Sequence, residues 1–169
     1  MDIRIDETDI MEAAQKGSEA FVELFSERTL AAIGGELNAE TMRQLSSDQI
    51  TLLAYQIVRQ EVLEGGFIQL IHNGYGPFIF HNPFAKAMRL WGAREFCNLI
   101  YDGRRLYEQY AEQLKQDMTD DEFMALYEQY PEFDELDDRF VDEMEPEVTD
   151  VVAHYIDEHL SLFVVVLKS

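Results

Sequence analysis

EVLEGGFIQLIHNGYGPFIFHNPFAKAMRLWGA, residues Glu61–Ala93, is the segment on which the fold of this chain turns. It holds the only tryptophan, two of the four histidines and two of the four prolines. Sequence on either side reads as ordinary amphipathic helix. Here Gly65 and Gly66 interrupt an apolar pattern that resumes at once with Phe67, Ile68, Leu70 and Ile71. Each glycine in a helix interior costs about 1 kcal/mol relative to alanine, so an adjacent pair predicts a sharp bend or a close approach of two backbones.

Upstream of the pair, Ile3 and Ile5 alternate with charges, which predicts a short strand or an extended arm over residues 1–7. A helix is expected from near Thr8, and a longer one after a Ser18 N-cap, ended by Gly34-Gly35. Asn38 can cap a short helix through Leu45. Ser47, with Asp48 in the first turn, opens the helix that carries Ile50, Leu53, Ala54, Ile57 and Val58 to Glu61. Downstream, Asn73-Gly74 is a stop and Asn82-Pro83 a start signal for a helix to Trp91. A long helix follows from Ala93, with Gly103 tolerated inside it. Thr119 and Glu122 form a capping box, and Pro131 separates that helix from one bearing Phe133, Leu136, Phe140 and Met144. Pro146 opens the last helix, and the tail FVVVL at 163–167 is expected as its end. No repeat or long linker divides the chain, so residues 1–169 are read as one all-α domain with acidic C-terminal helices at 120–163.

The 47% hydrophobic fraction is that of a globular protein, whereas a net charge of -21 is far from ordinary. Such charge repels nucleic acid and anionic membranes and favours a cationic partner. The acids are unevenly spread: residues 1–115 hold 17 acids and 11 bases, residues 116–169 hold 17 acids and 2 bases. On the helix from Phe133, Asp134, Asp138, Asp142 and Glu145 recur at helical spacing, with Glu135, Asp137 and Glu143 widening the stripe opposite the apolar face. Such a row is within a factor of about two of the pitch of one phosphate strand, about 3.4 Å per charge. It is therefore a candidate imitation of DNA for a basic surface, although acidic faces are more commonly solvated surface alone.

For chemistry the residues offer little. His154 and His159 are five apart, a step that turns the second ring away from a shared metal. His72 and His81 could converge with Glu61 into an acid–base cluster, and this enzyme or ligand-binding alternative predicts one shared pocket. Cys97, the single cysteine, reads as a buried hydrophobe. Most of the phenylalanines and tyrosines fall at core spacing, with Tyr107, Tyr110, Tyr127 and Tyr130 candidates for partial exposure. The N-terminus MDIRIDETDI lacks a basic flank before an apolar run, and Leu162–Leu167 is too short to span a bilayer, so a cytoplasmic chain is expected. No catalytic residue, cofactor or metal site is expected.

With Glu61, GGFIQLIHN and WGA in view, the sequence resembles a bacterial domain family named for DNA mimic protein nineteen. The pattern E-x-x-NGGF-x-Q-F/Y-F-x-N is met by Glu61, Gly65, Gly66, Phe67, Gln69 and Asn73, and Gly92-Ala93 matches a later IGA-like turn. Glu64 departs from the usual Asn, and Leu70-Ile71 from the common aromatics. FDELDDRF at 133–140 and YIDEH at 155–159 look like the closing helices, so the likeness runs from about residue 45 to 163. The resemblance implies an all-helical domain. For the characterised type it implies an acidic protein that occupies a helix-turn-helix transcription factor in place of DNA. It also implies a structural role for the motif: glycines for the bend, Phe67 for the core, Gln69 and Asn73 for buried backbone hydrogen bonds. A toxin-neutralising or other interaction protein with a cationic partner stays open beside that reading, as do a homodimer and the partner's identity.

Overall fold

The computed structural model describes residues 1–168 and is helical almost throughout, as the sequence predicts. Its packing divides it into two units, residues 1–56 with 147–168 and residues 57–146. No helix among the described residues is long and apolar enough to cross a membrane.

The first unit begins with β1 (Arg4–Asp6), which leads directly into α1 (Glu7–Lys16). Gly17 alone links α1 to α2 (Ser18–Ala32), so the cap is Gly17 and Ser18 is the first helical residue. α3 (Ala39–Met42) is capped by Asn38 as expected, with Thr41 closing the reciprocal bond. α4 (Ser47–His72) opens at Ser47 as expected, and Ser46 caps it. The Ser46 hydroxyl accepts from Gln49 N–H at 3.2 Å, and Gln49 Oε1 accepts from Ser46 N–H at 2.9 Å. Gln49 Nε2 then donates to the carbonyls of Met1 and Phe163, both at 2.8 Å.

Those bonds hold the two ends of the chain together, where one expectation fails. The tail continues not as helix but as β2 (Val165–Leu167), parallel to β1, with Ile5 opposite Val166. Its β-branched residues suit a strand. The deciding factor is the unpaired edge of β1, some 160 positions away, which local sequence cannot reveal.

The second unit is built around α7 (Arg94–Leu114), which packs with α5 (Gly76–Phe80), α6 (Phe84–Trp91) and α9 (Glu132–Asp138). Its core is aromatic: Phe80 stacks on Tyr107 at 5.2 Å, and Phe96 meets Phe84 at 5.9 Å and Phe140 at 5.6 Å. Gly103 is more than tolerated within α7, because a Cβ there would lie 3.1 Å from the Phe80 ring. Tyr107 and Cys97 are buried in this unit. α8 (Asp120–Gln129) starts at the expected Thr119–Glu122 box.

After α9 the backbone does not restart at Pro146. It passes through a π-helical segment, Arg139–Met144, straight into α10 (Glu145–Glu158), followed by α11 (Leu160–Phe163). The sequence explains the wide turn. Buried residues recur every fourth position at Leu136, Phe140, Met144 and Val148. In an α-helix each four-residue step overshoots a full turn by about 40°. An i→i+5 turn, closed by Glu145 N–H on the Phe140 carbonyl, takes back part of that drift.

Candidate partner-binding face and the bend behind it

The apolar stripe fixes the orientation of α9 and the π-helical segment. Phe133 and Phe140 are fully buried, and Leu136 and Met144 nearly so. Asp134, Glu135, Asp138, Asp142 and Glu143 are consequently turned outward, and none is ion-paired among the described residues. The one cation of the segment, Arg139, turns away to Asp102 of α7 at 2.9 Å, and Arg105 bonds the other oxygen of that carboxylate. Burial opposes ionisation of Asp102, but the bonds from Arg139 and Arg105 prevail and hold its carboxyl below the usual range. Beside this pair, Glu132 at the start of α9 accepts from the Tyr110 hydroxyl, a bond that lowers the Glu132 carboxyl and raises the Tyr110 phenol.

Two of the seven acids expected on the face do not belong to it. Glu145 is largely buried and pairs with Arg59 of α4, Nε to Oε1 at 2.7 Å. Asp137 turns toward the bend, where its Oδ1 accepts the Phe67 N–H at 2.8 Å. Both lie beside the apolar stripe, not opposite it. Asp137 comes four residues after Phe133 and three before Phe140, a spacing that places it on the buried side.

The bend itself sits where the glycine pair predicts. Gly65 and Gly66 leave helical geometry, Gly66 at φ 75°, within what is otherwise the continuous helix α4. A side chain at Gly66 would overlap the Asp137 carboxylate, and one at Gly65 would overlap Gln69. Because the turn interrupts the helix ladder, the Phe67 N–H needs an outside acceptor, and Asp137 supplies it. The Gly65 carbonyl is met by the Tyr127 hydroxyl of α8 at 2.6 Å.

Gln69 and Asn73 do not bond backbone, as their motif positions suggest. Both donate to Glu61 Oε2, at 2.7 and 3.1 Å. In a straight helix these residues would lie about 12 and 18 Å from Glu61 along the axis. The bend folds the second half of α4 back and makes the bonds feasible. Glu64, the departure from the family pattern, is exposed.

The histidines do not assemble. His72 bonds the Leu114 carbonyl at 2.8 Å, His81 packs edge-on against Tyr107, and the Glu61 carboxylate is held by the two amides. His154 pairs with Glu158 at 2.9 Å, whereas His159 bonds the Tyr155 carbonyl and stacks on its ring. The two rings thus have separate partners. Among the described residues no group of three or more His, Cys, Asp or Glu side chains could hold a metal ion.

Electrostatically, Asp137 stands apart. Burial pushes its carboxyl up to about 7, the bond from Phe67 opposing and the charges of Asp134 and Asp138 assisting. The Tyr127 phenol is raised too, first by burial and then by Asp137.

Comparison with known proteins gives one coherent result. Residues 43–159 match the family described as DMP19-like protein. Over 117 residues the chain is 34% identical to the DNA mimic protein DMP19 of Neisseria meningitidis serogroup B, an alignment that covers 68% of this chain and 70% of that protein. The matched region contains the bend, Glu61 and the whole of α9.

Proposed function

This chain belongs to the DMP19-like protein family, and on that basis we propose that it is a DNA-mimicking regulator. It acts without catalysis, in the cytoplasm, by occupying the basic surface of a DNA-binding protein such as a helix-turn-helix transcription factor. The contact surface is the outward acidic row Asp134, Glu135, Asp138, Asp142 and Glu143.

The observation that carries this reading is that the row's own cation is engaged elsewhere. Arg139, the single base within it, is drawn off to Asp102. A partner's lysines and arginines therefore meet carboxylates that have no ion pair among the described residues. A four-residue α-helical step spaces Asp134 and Asp138 about 6 Å apart along the axis, the scale of alternate phosphates along one strand, and Asp142 follows four residues on. The largely buried Glu145–Arg59 pair and the inward Asp137 stay outside the contact and hold the face in place.

The test is capture of DNA-binding proteins at low salt by immobilised chain, compared with D134K/D138K/D142K. Wild type should retain a basic partner and release it as salt rises, because exposed charge pairs are screened within about 8 Å at 0.15 M. The variant should lose most of that capture while keeping its helical signal. Equal capture by both proteins would remove the face from this role.

A further inference from the structure

Asp137 is the point where the acidic face touches the bend. Its carboxylate lies against Gly66, where no side chain would fit, and accepts the N–H that begins the second half of α4. On its own helix it neighbours Asp134 and Asp138. The charged and titratable groups that bear on it are few. α9 supplies Asp134 and Asp138 and α8 supplies the Tyr127 phenol, while the Phe67 N–H of α4 donates to it. No cation among the described residues is paired with it.

We propose that Asp137 links partner binding on the acidic face to the bend of α4: it clamps the Gly65–Gly66 turn against α9, and covering Asp134 and Asp138 with a cationic surface drives a proton off its carboxyl to solvent. The inference rests on the acidic face being the binding surface. Its reasoning is electrostatic. Burial is the main reason the carboxyl holds its proton; the two negative neighbours add to it, and neutralising them removes their share. Reciprocally, an ionised Asp137 adds a negative charge directly behind the face, so cation binding tightens as pH rises through 7. The proton goes to water and no bond other than O–H is broken. Loading the clamp with full charge also shortens and strengthens the bond to Phe67, so docking stiffens the turn.

The experiment is a carbon-13 carboxyl titration of the full chain by NMR, with Asp137 assigned by its disappearance in D137N. It is run free, with decalysine at low salt, and in D134N/D138N. The free chain should show an Asp137 midpoint near 7. Decalysine should lower it by at least about half a unit, and D134N/D138N should show a lowered midpoint without any probe. Decalysine affinity should rise several-fold from pH 6 to pH 8 in wild type and stay nearly flat in D137N, which keeps an acceptor for Phe67. A midpoint in the ordinary carboxylate range, or one unmoved in D134N/D138N, overturns the link. If decalysine binds and the midpoint stays fixed, the link fails while the acidic-face reading survives. If decalysine fails to bind, the acidic-face reading falls and the docking-driven proton release falls with it.

Discussion

Asp137 lies on the side of α9 that faces the protein because the α-helical period puts it between Phe133 and Phe140. Counting it among the surface acids follows from its chemistry and ignores its position. Once inside, it serves the fold as an acceptor, and its charge is a cost to stability. The native state holds its proton up to about 7, whereas an unfolded aspartate releases it near 3.9. Between those values the native state binds more protons than the unfolded chain, so this residue's contribution to stability declines as pH rises through that window. D137N retains an acceptor without the charge. Its urea midpoint should match wild type at about pH 4 and exceed it at pH 8, by about 1–2 kcal/mol after allowing for partial exposure. D137A, lacking the acceptor, should be destabilised at both. A D137N advantage that does not change with pH would contradict the assigned ionisation.

Among the helices, the decisive feature is the interruption of α4. A glycine pair announces a break, but the direction of the turn is set by Asp137 and Tyr127 from α9 and α8, and by the two amides gathered on Glu61. The contrast with Gly34 separates conformation from contact. Both glycines have positive φ, but a Cβ at Gly34 would meet nothing within 4 Å, while at Gly66 the Asp137 carboxylate already fills the space. Gly34→Ala should cost about 1–2 kcal/mol, the left-handed penalty alone. Gly66→Ala should cost about 1–3 kcal/mol for a backbone region essentially restricted to glycine and about 1–3 kcal/mol more for the loss of an acceptor for a buried N–H, for a total of about 2–6. Chemical denaturation of the two variants decides this, and equal costs would mean the Asp137 clamp contributes nothing. The π-helical turn is a second device of the same kind. The every-fourth spacing of its apolar residues forecasts a pattern an ordinary helix cannot keep on one side, although Pro146 suggests a fresh start instead.

For the molecule as a whole, the excess of negative charge works against compaction and for docking. A net charge of -21 on 169 residues repels itself, and exposed like charges at helical spacing each cost a few tenths of a kcal/mol. Raising salt from about 0.01 M to 0.15 M shortens the screening length from about 30 to 8 Å. The chain's thermal midpoint should therefore rise over this range while its capture of a basic partner weakens. Scanning calorimetry and salt elution read the two trends separately. A midpoint that falls with salt would show that paired charges outweigh repulsion in the folded state.

Local sequence suffices for the helical class, the break at Gly65–Gly66, the caps at Asn38 and Thr119, the apolar stripe of α9 and the concentration of acid in the last third. Each depends on residues within a turn or two of one another, or on composition, where periodicity and backbone freedom act directly. Long-range packing alone makes the tail a strand beside β1, brings Gln69 and Asn73 to Glu61, draws Arg139 from the acidic row to Asp102, and supplies Phe67 to Asp137 and Arg59 to Glu145. Those outcomes need a partner distant along the chain. A hydrogen bond or ion pair has a reach of a few ångströms, and which distant group comes within it is fixed only when the chain has folded.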